Sequence, residues 1–228
     1  MPLFVLLFAV TFALTLWGRR KYQTVYDEEL KNLAASGITG AELARRILDV
    51  SEIGGVEIVK GHGLFSDFYD PLRKRLVLTP QHFNGSTFTA LGIAAHEAGH
   101  VLQHRAGHVP LHWRVAAIRA TIWLSLPLVF AGVFTMVLPV FGKSGVYLAL
   151  AGWSLVAAWN LVTLPVELDA SERAREVLER NHAFRNLDER IGIARVMRAA
   201  GAAHIDGVFS VLSWLGTLVF GLLPTKQG

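Results

Sequence analysis

A chain of 228 residues without cysteine excludes disulfide scaffolds and thiolate metal sites, and is long enough for one domain with a sizeable core. A hydrophobic content of 52% and a mean hydropathy of +0.40 are high for a soluble domain and point to a membrane protein. The net charge of +4 comes from basic residues interleaved with 18 acidic ones, with no basic run or nucleic-acid motif, so nucleic acid is not an expected partner.

Four runs lack charged residues: Met1 to Gly18, Ala120 to Gly142, Ser144 to Val166 and Gly207 to Thr225. Each approaches the roughly 20 residues a helix needs to cross a bilayer core. The sequence therefore predicts a mainly α-helical membrane protein, one domain over residues 1–228, with about four transmembrane helices at 2–18, 120–142, 144–166 and 207–224. In the first run the charges Arg19, Arg20 and Lys21 follow the apolar stretch instead of preceding it, which reads as a retained anchor and not a cleaved signal. Of the 22 basic residues, all but Lys143 and Lys226 fall in the polar segments 19–119 and 167–206. The excess of positive charge on cytoplasmic flanks then predicts a multi-pass protein of the inner (plasma) membrane, its polar segments and its active site facing the cytoplasm. The lipid bilayer is the partner this implies; oligomeric state is not legible.

Between the spans, Thr39-Gly-Ala-Glu42 is a capping box opening a helix to about Asp49, with Leu43, Ala44, Ile47 and Leu48 as its apolar stripe. Val56 to Val59 and Leu76 to Thr79 are short β-rich runs, separated by Gly61, Gly63 and Asp70-Pro71, and predict a small hairpin or sheet. Helical periodicity then runs from about Thr87 to Gln103, with Gly107 and Pro110 ending it. The second polar segment predicts two helices, about Asp169 to Asn181 and Leu187 to Ala200, the latter opened by Asn186-Leu-Asp-Glu189.

The chemistry is concentrated in His96-Glu-Ala-Gly-His100, an H-E-x-x-H motif on the predicted 87–103 helix. Residues four apart share a helix face, so both imidazoles reach one Zn2+ ion, one per chain, while Glu97 lies beside it as general base for a water. A third protein ligand is required, leaving one position for water and substrate. His104, His108 and His112 continue the histidine series, but each step of four residues drifts by about 40° around the helix and turns His104 away from the first pair. Glu167, two residues after Pro165 in Leu164-Pro-Val-Glu-Leu-Asp-Ala-Ser171, is the better candidate, on the same side of the membrane as the His96 helix. Asp169 is a further carboxylate nearby. Tyr69, within Ser66-Asp-Phe-Tyr-Asp-Pro71, and His204, before the last run, are candidates for assisting at the site, and Asn160 for an interhelical hydrogen bond.

Gly37 to Leu48, Ser66 to Pro71, His96 to His104 and Thr163 to Ser171, together with the N-terminal anchor, resemble the bacterial YugP-type membrane zinc metallopeptidases over nearly the whole chain. The resemblance implies peptidase activity and assigns the third zinc ligand to the glutamate of the Pro-Val-Glu segment, here Glu167. That segment is also similar to the Glu-x-x-Ala-Asp signature of the HtpX and CAAX-protease group of membrane gluzincins, with Ser171 standing where that group has Asp. The expected function is hydrolysis of peptide bonds in membrane-associated protein substrates, with Glu97 catalytic and His96, His100 and Glu167 on the metal. The alternative is a noncatalytic metal-binding or metal-transport protein using the histidine ladder.

Overall fold

The longest helices run straight through the boundaries between apolar and charged sequence. The computed structural model describes residues 2–61, 67–107, 116, 123–124, 126–137 and 144–203. Helix α1 covers Pro2–Glu29, entering charged sequence at Arg19, and helix α6 covers the 37 residues Ser144–Arg180, with Pro165 inside it. A break is expected between the third apolar run and the helix beginning near Asp169; instead the two form one rod about 55 Å long. Between them lie α2 (Gly40–Val50), α3 (Pro80–Asn84), α4 (Phe88–Arg105) and α5 (Leu126–Val137), and α7 (Leu187–Ala203) follows.

This corrects the expectation of a four-span membrane protein: among the described residues no helix is long and apolar enough to cross a membrane. The multi-pass inner-membrane placement that rested on those spans is corrected with it. The described part of α5 is 12 residues long. Helices α1 and α6 each pass from apolar into charged sequence without a break, so those apolar runs are parts of longer helices and not separate spanning segments. The expected span at 207–224 and parts of that at 120–142 lie outside the described residues.

The capping box forms as the sequence dictates: the Thr39 hydroxyl accepts from the Glu42 amide at 3.3 Å, and Glu42 Oε2 accepts from the Thr39 amide at 2.8 Å. The Thr39 amide and the Thr39 hydroxyl, both donating to Glu42 Oε2, hold the exposed Glu42 carboxyl below its usual range. The stripe Leu43, Ala44, Ile47 and Leu48 is buried, as its 3.6-residue spacing requires.

The small sheet has three strands, β1 (Glu57–Lys60), β2 (Phe68–Asp70) and β3 (Arg75–Leu78), in the order β1-β3-β2. The two β-rich runs pair in parallel, Ile58 beside Leu76, so they are not the two arms of a hairpin. The hairpin is β2-β3, with Tyr69 opposite Leu76. Its turn is the Asp70-Pro71 signal: Asp70 Oδ1 accepts from the amides of Leu72 at 2.9 Å and Arg73 at 3.2 Å. Asp67 docks the start of β2 by accepting from the Thr79 amide at 2.7 Å and bonding buried His82 at 2.7 Å, and His82 reaches Tyr26 of α1 at 2.9 Å. Burial and the neighbouring Asp67 push the Tyr26 hydroxyl up.

Helix α4 is the centre of the molecule. Its N-cap Thr87 accepts from the Ala90 amide, and every residue from Phe88 to Val101 is buried. It packs on α2, α6 and α7. Gly107, at φ +64°, supplies the left-handed residue beyond its C-terminus. Helix α7 begins at the expected cap, where Asn186 Oδ1 accepts from the Glu189 amide at 2.8 Å. The core joins Leu43, Ile47 and Leu48 to Leu91, Ile193 and Met197, with the sheet contributing Leu76 and Leu78.

Candidate metal centre

A helix this deeply enclosed ordinarily presents only apolar side chains, yet α4 buries His96, Glu97 and His100 at 1%, 2% and 0% exposure. The four-residue spacing stacks the imidazoles on one face, with ring centroids 5.0 Å apart and planes at 76°. One ligating atom from each of His96, Glu97 and His100 lies within 4.8 Å of the others. From α6, Glu167, 1% exposed, brings Oε2 to 3.3 Å from His96 Nε2 and 3.2 Å from His100 Nε2. Glu167 sits inside a continuous helix rather than at a helix start, so α6 fixes its direction.

Those separations can be set against a metal's demands. Zinc bonds of about 2.0–2.1 Å to nitrogen and oxygen in a tetrahedron place neighbouring donors about 3.3–3.4 Å apart. The contacts at 3.2 and 3.3 Å match that edge. Each imidazole also has its other nitrogen occupied. Ser171 Oγ, which donates to the Met197 carbonyl at 2.8 Å, lies 2.9 Å from His96 Nδ1 and accepts its proton. Gln103 Oε1 accepts from His100 Nδ1 at 2.9 Å, while its Nε2 donates to the Val166 carbonyl and to Asp169 Oδ2, both at 2.7 Å. With Nδ1 of each ring so engaged, each Nε2 is the nitrogen that faces Glu167 and can be presented to a metal.

The charge pattern agrees with a cation. Two carboxyl groups, Glu97 and Glu167, are almost wholly buried beside the two imidazoles, and Glu97 Oε2 has no hydrogen-bond partner among the described residues. A buried carboxylate without compensation costs several kcal/mol. The residues present therefore fit a divalent ion of the kind that takes histidine and carboxylate together, zinc foremost.

The other expected residues fall elsewhere. Asp169 turns to Gln103 and, at 2.6 Å, to Arg173. His104 Nδ1 meets the Tyr69 hydroxyl at 2.7 Å, as its drift around the helix anticipates. Burial and Asp70 push that hydroxyl up to about 12, so it keeps its proton through the neutral range. His108, His112, His204 and Ser66 lie outside the described residues, as does the side chain of Asn160. Ser171 fills the place of the expected Asp by offering a hydroxyl lone pair. Gln103 is the residue that sequence reasoning missed; its signal was a polar residue three positions after His100 on the same helix face.

A helix carrying H-E-x-x-H, closed by a carboxylate from a neighbouring helix, defines the class of zinc-site hydrolases. Residues 4–222 match the family described as "Putative neutral zinc metallopeptidase", and the chain belongs to that family. It is similar to the "Putative membrane protease YugP" of Bacillus subtilis (strain 168), with 33% identity over 205 residues, covering 89% of each chain. No solved structure matches it.

Proposed function

We propose that the protein is a zinc-dependent peptidase, with one Zn2+ per chain held by His96 Nε2, His100 Nε2 and Glu167 Oε2 and with Glu97 as general base. The observation that carries this reading is the Glu167 carboxylate oxygen at 3.2–3.3 Å from both imidazole Nε2 atoms. Bound zinc supplies Lewis acidity toward a scissile carbonyl and toward water.

The chain's own residues do the rest. Ser171 and Gln103 keep His96 and His100 in the tautomer that presents Nε2. Glu97, adjacent to His96 and with Oε2 uncommitted among the described residues, accepts a proton from the attacking water and delivers it to the leaving amine nitrogen. Enclosure of α4 keeps bulk water from the carboxylate and strengthens its interaction with the developing charge. Peptide segments of proteins are the substrates, membrane-associated polypeptides among them.

The test is hydrolysis of a protein substrate by zinc-loaded wild type and Glu97→Gln. The variant should hold one zinc and lose hydrolysis, because an amide cannot take the water's proton. Equal turnover by both would remove Glu97 from the role, and a wild type that binds no zinc through His96 and His100 would end the reading.

A further inference from the structure

Gln103 is 0% exposed, in a position where an apolar side chain would pack without needing any hydrogen bond. Both of its amide N–H groups have acceptors on α6: the Val166 carbonyl oxygen and Asp169 Oδ2, each at 2.7 Å. That pairing fixes which way the amide faces, since reversing it would set its oxygen against two oxygens. The Gln103 oxygen is thereby turned to His100 Nδ1 at 2.9 Å. An amide oxygen only accepts, so this pairing calls for a proton on His100 Nδ1, and Nε2, 3.2 Å from Glu167 Oε2, is the nitrogen left to face the metal position. Asp169 is itself held by the Arg173 Nε at 2.6 Å. Val166, gripped by the same amide, is the residue immediately before Glu167.

We infer that Gln103 is a positioning residue of the metal centre: its amide, aligned by Asp169, selects the Nδ1–H tautomer of His100 and holds the Glu167 turn of α6 against that imidazole. This rests on the site reading given above. One side chain so governs two of the three ligands, although it touches neither metal nor substrate.

The experiment uses the full chain and three changes. Gln103→Met keeps length and apolar volume and removes all three bonds. Gln103→Glu keeps an acceptor for His100 but turns a second oxygen on Asp169, and adding Asp169→Asn returns a donor to that contact. Two quantities are read: the zinc dissociation constant by competition with a chelator, and the 15N shifts of the His100 ring in metal-free protein at fixed pH. Wild type should show the Nδ1–H tautomer alone. Gln103→Met should show a mixture of tautomers and bind zinc about 10- to 100-fold more weakly. Gln103→Glu should be weakened too, and Gln103→Glu with Asp169→Asn should recover part of the loss. An unchanged tautomer and affinity in Gln103→Met would overturn the assignment while leaving the zinc site standing. Should Gln103→Met fail to fold, equal affinity of Gln103→Glu with and without Asp169→Asn would overturn it instead. Failure of wild type to bind zinc through His96 and His100 would strike the site reading, and the metal-free tautomer would still decide the role of Gln103.

Discussion

Gly99 on α4 and Ala170 on α6 meet backbone to backbone: a Cβ placed on Gly99 would overlap the carbonyl oxygen of Ala170. Gly99 directly precedes His100, and Ala170 lies one helical turn beyond the Val166-Glu167 pair. This close approach is what lets an α4 imidazole and an α6 carboxylate come within 3.2 Å. The glycine of the motif thus has a packing reason in addition to its place between the ligands.

Gly99→Ala should force the two helices apart, because the obstructing atoms are backbone and cannot swing away. Overpacking of this kind costs about 1–3 kcal/mol, and the same displacement should separate Glu167 from both histidines. Thermal unfolding together with zinc titration checks this. A variant with wild-type zinc affinity would show that the approach at Gly99 does not set the ligand distances.

Ser171→Ala removes the acceptor of the His96 Nδ1 proton while leaving α6 intact. Zinc affinity should fall by about 10- to 100-fold, with little change in overall helicity. The measurement is chelator competition beside circular dichroism; unaltered affinity would deny the hydroxyl its orienting part.

What the sequence disclosed and what it withheld divide along physical lines. The Thr39 capping box, the Leu43–Leu48 stripe, the Asp70-Pro71 turn and the Asn186 cap are local, and each is found where neighbouring residues dictate it. His96, Glu97 and His100 were legible for the same reason, their spacing being a property of one helix. The pairing of β1 with β3 in parallel, the continuity of α6 through Pro165 and the contact of Gln103 with Val166 depend on partners far along the chain. The expected spans are not found among the described residues, where no helix is long and apolar enough to cross a membrane and the first and third apolar runs are parts of longer helices that continue into charged sequence. Glu167 was named through its proximity to the apolar run and through resemblance, and its place against both imidazoles is a tertiary fact.

Tyr69 provides a pH signature. Its hydroxyl is raised from 10.0 to about 12 by burial and by Asp70, so the folded state favours the protonated form. The stability this confers is fully present below pH 10, declines as the unfolded chain ionises, and is lost as the pH rises through about 12. Tyr69→Phe also loses the bond to His104 and should be about 1 kcal/mol less stable at neutral pH. Urea unfolding of both proteins between neutral pH and pH 12 should show the wild-type advantage shrinking above pH 10. A constant difference across that range would mean that the tyrosine titrates alike in both states.

Replacement of Glu167 separates ligand from neighbour. Glu167→Ala removes the third donor and leaves two imidazoles, a set that opens too many positions to solvent for tight zinc retention. Glu167→Gln preserves shape but offers a neutral amide, a weaker donor to a divalent cation. Glu167→Asp keeps the charge on a side chain shorter by one methylene, about 1.5 Å, and so draws the oxygen away from its 3.2–3.3 Å contacts. Zinc retained after dialysis should therefore rank wild type first, Glu167→Asp next, and Glu167→Gln with Glu167→Ala last, with peptide hydrolysis following the same order. Asp169→Ala leaves every proposed ligand in place and loses only the anchor of Gln103 and the pairing with Arg173, so its deficit should be smaller than that of Glu167→Ala. Metal analysis and a peptide-cleavage assay on the same preparations make the comparison. Full zinc retention by Glu167→Ala, with loss in Asp169→Ala, would transfer the ligand to Asp169 and leave the H-E-x-x-H helix as the only part of the site correctly assigned.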